Sequence, residues 1–230
     1  MRRQRKSSMF EGFSEDTFSF FMAIGFNNNR EFFHDNHDWY MNAVRKPLYD
    51  LAEALNETVE EIDPLLERRP NKVVSRINRD IRFSNDKSLY RDYMFLAFRR
   101  PGEERKTTMG LYFDISPSGA SYGAGFYSPN KPLMNALRTQ IRLDPERAER
   151  ALDIADFTMH PDTIKKMKVP EGVPQSLHEW YRLRGFYVEK STDDFDLLMS
   201  PKIVDVVCRD FRRIAPMYSF IQELIPEEDE

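Results

Sequence analysis

Arg76 Ile77 Asn78 Arg79 Asp80 Ile81 Arg82 Phe83 Ser84 Asn85 Asp86 Lys87 Ser88 Leu89 Tyr90 Arg91 packs more cations among apolar strand formers than any other segment of the chain. Read as a strand from Val73 to Phe83, it puts Val73, Ile77, Ile81 and Phe83 on one face and Arg76, Asn78, Asp80 and Arg82 on the other, with Arg79 interrupting the apolar side. Neighbours two apart on a strand face stand roughly 6.5 to 7 Å apart, a spacing at which two guanidinium groups flank one carboxylate or one bound oxyanion. Five cations face two carboxylates between Arg76 and Arg91, so pairing within the run cannot neutralise it.

Around this stretch the chain divides into helices, then strands, then helices. Ser14, followed by Glu15 and Asp16, signals a helix start, with Phe18, Phe21, Met22 and Ile24 at helical spacing. Gly25 ends that helix. Asn27 to Asn29 then cap a longer one carrying Phe32, Phe33, Trp39, Tyr40, Ala43 and Val44, which Pro47 kinks or divides before Leu48, Leu51, Leu55, Val59 and Ile62 continue it.

Tyr93 to Arg99, Met109 to Ser116 and Ser121 to Tyr127 read as strands joined by short loops, which favours an antiparallel meander. In the last of them Ser121, Gly123, Gly125 and Tyr127 share a face, and the two glycines leave a bare patch there. Helices follow from Pro132 and Pro145; residues 158 to 174 read as an irregular connection or one short strand. Ser176 to Arg184 reads as a helix and Gly185 to Lys190 as a strand. Pro201 to Leu224 closes the chain as a helix with Val207, Cys208, Phe211 and Ile214 inward. The expected class is α+β: a mainly antiparallel sheet of four to six strands covered by helices, with N-terminal helices and a long C-terminal one. One domain is expected over 10–225, between a disordered basic tail (1–9) and an acidic tail (226–230).

Composition narrows the function. Of 230 residues, 40% are hydrophobic and 31% charged, with 18 Phe, which describes a soluble globular protein with an aromatic-rich core. A net charge of -4 argues against a broad nucleic-acid footprint. The single cysteine excludes an internal disulfide, the first residues lack the apolar run of a signal peptide, and the apolar stretch from Phe18 to Ile24 falls far short of the roughly 20 residues that span a bilayer. The cytoplasm is the expected compartment, with no membrane segment. His34, His37 and Asp38 lie within one helical turn, but no further Cys or His stands near them in sequence, and His160 and His178 are isolated; neither metal nor cofactor is expected. The glycines match neither a P-loop nor a dinucleotide fingerprint, and Ser75, Ser84 and Ser121 have no base beside them in sequence.

A resemblance joins these segments. Asn27 Asn28 with Glu31 Phe32 Phe33; Arg76, Arg79 Asp80, Arg82 Phe83, Asp86 Lys87 and Tyr90; Gly123, Gly125, Tyr127 and Pro129; and Arg138 together resemble the family catalogued as domain of unknown function 2461, from about Phe10 to Leu224. Asn78 stands where similar sequences have an aromatic, Leu89 Tyr90 Arg91 replaces Pro-Tyr-Lys, and Lys168 to Pro174 departs from a proline-arginine-glycine pattern. The resemblance implies no catalytic role.

The charged run suggests a pocket for a small phosphate- or carboxylate-bearing ligand, in a binding protein or an enzyme. Arg76, Arg79, Arg82 and Lys87 would hold the anion, and Asp80 or Asp86 would serve as acid, base or orienter. Tyr90, Tyr112, Gly123, Gly125 and Tyr127 would complete the lining, with Arg76, Asp80 and Arg82 on the glycine side of the sheet. Two alternatives use the same residues: a module for nucleic acid or an acidic protein that stacks on the tyrosines, and a charged network that only supports the fold.

Overall fold

The structure, a computed structural model, describes residues 9–82, 85–104, 106–154 and 156–225. The expected tails, apart from Met9, and Phe83 and Ser84 of the charged run lie outside the described residues.

Helix α1 (Glu15–Phe26) opens after Ser14, whose backbone N–H donates to the Thr17 hydroxyl at 3.1 Å. Helices α2 (Arg30–Asp35) and α3 (His37–Tyr40) lead through a π-helical turn (Met41–Arg45) into α4 (Lys46–Ile62), so the expected division falls just ahead of Pro47. Pro47 has no N–H for the Ala43 carbonyl four residues earlier. That carbonyl instead accepts the buried Thr17 hydroxyl at 2.6 Å, which ties α1 to the turn.

The described part of the expected strand, from Val73 to Arg82, is not a strand. Pro70 opens a short helix, α5 (Pro70–Val73), and after it the described part of the segment makes the isolated bridges Val74 to Leu96 and Asn78 to Tyr90, with single backbone hydrogen bonds such as Ser75 N–H to the Phe95 carbonyl at 2.8 Å and Arg79 N–H to the Leu89 carbonyl at 2.9 Å, in place of a continuous ladder. Alternation was real but supplied too little apolar surface. Of the described residues Ile77 is buried, Ile81 is half-exposed, and Asp80 turns back to accept its own chain's Arg82 N–H at 3.2 Å, a local bond that competes with a ladder.

The sheet has β1 (Met94–Phe98), β2 (Gly110–Ser116), β3 (Gly119–Phe126), β4 (Thr158–Thr163) and β5 (Leu183–Thr192) in the order β1-β2-β3-β5-β4, all antiparallel. Between β3 and β4 run α6 (Lys131–Leu143) and α7 (Pro145–Ala151). Helix α8 (His178–Arg182), preceded by a 3-10 turn at Gln175–Leu177, leads into β5. Helix α9 (Phe195–Leu198) follows β5, and α10 (Lys202–Gln222) ends the fold.

Leu96, Phe98, Leu111, Phe113, Tyr122, Ala124 and Val188 point from one sheet face into a continuous hydrophobic core with Leu48, Leu55, Phe211 and Ile214 from the helices. Phe211 and Ile214 are fully buried, as the terminal stripe predicts, and Cys208 packs at the edge of the core. Buried Asp210 serves this helical side: its carboxylate accepts Tyr122 Oη at 2.9 Å, Arg209 Nε at 2.9 Å and Lys190 Nζ at 3.1 Å. The opposite, half-exposed sheet face carries the cavities.

Candidate functional site

Strand alternation puts Phe95, Ala97, Tyr112, Asp114, Ser121, Tyr187 and Glu189 on the half-exposed face. Register brings them into rows: Tyr112 pairs with Gly123, which pairs with Glu189, and Asp114 pairs with Ser121, which pairs with Ser191. Together with Arg99, Gly125 and Tyr127 they line a cavity of about 280 Å³.

Tyr112 reaches across Gly123 of the middle strand and donates its hydroxyl to Glu189 Oε2 at 2.9 Å. On the far side, His160 Nε2 lies 3.7 Å from Glu189 Oε1, and its ring stacks on Tyr187 at 4.5 Å. Glu189 is thus held between a phenol and an imidazole from two other strands. Burial, with the Glu189 charge in second place, pushes the Tyr112 phenol far above its ordinary value.

Asp114 is different. Among the described residues no hydrogen bond reaches its carboxylate; burial, reinforced by the Glu189 charge and opposed by Arg91, raises its pKa to about 6. A carboxyl poised there exchanges a proton near neutral pH, while the cavity supplies aromatic walls and a second, fixed carboxylate. The pair has the chemistry for binding a hydrogen-bond donor or a cation, and for moving a proton.

The residues singled out by sequence fall in two places. Tyr112, Gly125 and Tyr127 line this cavity, and Gly123 lies under the Tyr112 side chain's path. The glycines do not leave the expected bare patch, however. A Cβ at Gly123 would stand 1.8 Å from the Val188 carbonyl oxygen, and Gly125, at φ +146°, would place one 2.4 Å from the Tyr187 Cα. The β5 backbone takes that space, and the cavity opens beside it.

Arg76, Arg79, Asp80, Arg82, Asp86 and Lys87 lie instead in the irregular segment along the β1 edge, so Arg76, Asp80 and Arg82 do not share the sheet face with the glycines. Arg82 grips Asp80 through Nε at 2.9 Å and Nη2 at 2.6 Å, which holds the Asp80 carboxyl down to about 2. Arg79 Nη1 meets Asp86 at 2.5 Å and its Nη2 meets Asp92 at 3.4 Å; Lys87 Nζ donates to the Ile81 carbonyl at 2.9 Å. Asp92, one residue beyond the quoted stretch, supplies part of the missing negative charge.

Tyr90 turns away from the cavity. Asn28 exchanges two 2.9 Å hydrogen bonds with its backbone and Phe33 stacks on its ring at 4.4 Å, so residues from two blocks that carry the resemblance make one structural clip. Arg138 is also structural, donating to the carbonyls of Tyr181 at 2.8 Å and Leu183 at 2.5 Å where α8 enters β5. Arg91, at the end of the run, is the cation whose charge reaches Asp114; its guanidinium lies over the Phe95 ring at 5.4 Å.

Asp114, Glu189, Tyr187, His160, Phe95 and Arg99 were not singled out by sequence. Alternation around Tyr112 places Asp114 beside it on the same face, a signal available before folding. Glu189 carries none, because β5 reaches β3 only after a connection that includes three helices and β4. Among the described residues no group of three or more His, Cys, Asp or Glu is placed to hold a metal ion, and no helix is long and apolar enough to cross a membrane.

No curated protein and no solved structure matches the chain. The family model described as conserved hypothetical protein (DUF2461) matches residues 16–220, from α1 to near the end of α10, and the chain belongs to that family.

Proposed function

We propose that the half-exposed sheet face binds a small molecule with an ammonium group on an aromatic or apolar body. The observation that carries this reading is Asp114: a half-buried carboxylate with no hydrogen bond among the described residues, facing a cavity beside a second carboxylate. Such a group is costly unless something pairs with it. A ligand cation relieves that cost, and the cavity is lined by Phe95, Tyr112 and Tyr187, aromatic side chains of the kind that attract ammonium groups. If the protein is an enzyme, Asp114 is the group that gives up or takes the proton, and Glu189 is the fixed charge that orients the substrate. The single cysteine supports a cytoplasmic setting for this activity.

The anionic ligand suggested by the charged run is the second reading. Arg99 at the cavity favours it, and the two carboxylates oppose it. A thermal-shift comparison separates the two. 2-Phenoxyethylamine, at about 100 times its dissociation constant, adds roughly 2.7 kcal/mol, read as a rise of about 2 to 4 °C, and loses this effect in Asp114→Asn. Phenyl phosphate leaves the melting temperature unchanged. Stabilisation by phenyl phosphate that Arg99→Ala abolishes, with no response to the amine, would establish the anionic reading.

A further inference from the structure

A second cavity, of about 370 Å³, adjoins the first and shares Asp114 and Ser121 with it. It lies toward the β2–β3 turn, where Ser116, Ser118, Ser191 and Asp193 replace the aromatic walls. Successive rows of one sheet face are roughly 6.5 to 7 Å apart, so the surface changes character within a few ångströms. The Tyr112–Gly123–Glu189 row is aromatic and acidic; the Asp114–Ser121–Ser191 row and the strand ends beyond it carry hydroxyls. Each hydroxyl both donates and accepts, and Ser116 and Ser118 already meet at 3.0 Å.

No Lys or Arg is among the described residues lining this second cavity, and Asp114 and Asp193 are. A phosphate has no counter-charge there. A group with several neutral hydroxyls matches serine hydroxyls as donor and acceptor and gives the carboxylates O–H donors.

We infer that the ligand is sugar-like: its hydroxyl-bearing ring occupies the serine-lined cavity, its amine meets Asp114 at the junction, and its apolar part lies in the aromatic cavity. This inference rests on the amine-binding reading above and names the ligand class of the same site.

Isothermal titration with a matched pair tests it. Phenyl β-glucosaminide and 2-phenoxyethylamine share the aryl ether and the amine two carbons from the ether oxygen; the sugar ring adds the hydroxyls. The glucosaminide is expected to bind roughly tenfold tighter or more, a gain of about 1.4 kcal/mol or more. Ser191→Leu, which fills the second cavity from an exposed position, is expected to cut the glucosaminide affinity to that of the amine. Ser118→Leu, also at an exposed position, serves if Ser191→Leu lacks a cooperative melt. Equal or weaker binding of the glucosaminide overturns the sugar-like class and leaves the amine site standing; binding of neither compound overturns both. A tenfold gain that survives both leucine variants also contradicts the placement of the ring.

Discussion

The irregular segment from Arg76 to Arg91 and the sheet face around Asp114 hold charge in opposite ways. In the segment, Arg82 and Asp80 close on each other within three residues while largely exposed, and water screens what the pair gains. On the sheet face one carboxylate, Asp114, has lost water without gaining a hydrogen bond among the described residues, and burial, reinforced by the Glu189 charge, raises its pKa to about 6. The density of charge in a sequence therefore marks a solvated surface as readily as a site. Unrelieved desolvation of a single group is the more informative signal.

Substitutions on the two sides of the sheet sharpen this contrast. The largest effect belongs to the helical side: Phe211→Ala empties a fully buried position and is expected to cost about 3 to 5 kcal/mol in denaturant unfolding. Asp210→Asn, on the same side, removes the charge that Lys190 and Arg209 meet and is expected to cost about 2 to 3 kcal/mol, seen as an earlier midpoint with an unchanged slope.

The same Asp to Asn change at Asp114 has the opposite sign. It is expected to raise stability at neutral pH by up to about 2 kcal/mol, because the charge it removes is half-buried and has no hydrogen-bond partner among the described residues. In the charged segment, Arg82→Ala is expected to leave the melting temperature unchanged, since both members of its pair with Asp80 are exposed. A large loss there would show that the segment supports the fold after all.

How much of this was readable beforehand follows from where the information lies. The strand pattern of Met109 to Ser116, with Tyr112 and Asp114 two apart, and the apolar stripe through Val207, Phe211 and Ile214 are local, and both β2 and α10 form as their periods require. The segment after Val73 alternated too, but the described residues from Arg76 to Arg82 bury only Ile77, and period alone does not hold a strand. The meeting of Tyr112 with Glu189 depends on β5 docking between β3 and β4. That is a long-range pairing, and no spacing in the sequence reports it.

The most direct measurement is the thermal melt of the wild type and Asp114→Asn at about pH 8 and about pH 4. Because the folded-state pKa of Asp114 lies above its ordinary value of 3.8, the native protein binds the extra proton between 3.8 and about 6, and stability falls as pH rises through that window. Asp114→Asn should therefore melt above the wild type at pH 8, with the gap closing as the pH falls toward 4. A variant that melts below the wild type at pH 8, or a gap that ignores pH, would contradict the claim that Asp114 is an unrelieved carboxylate kept for a ligand.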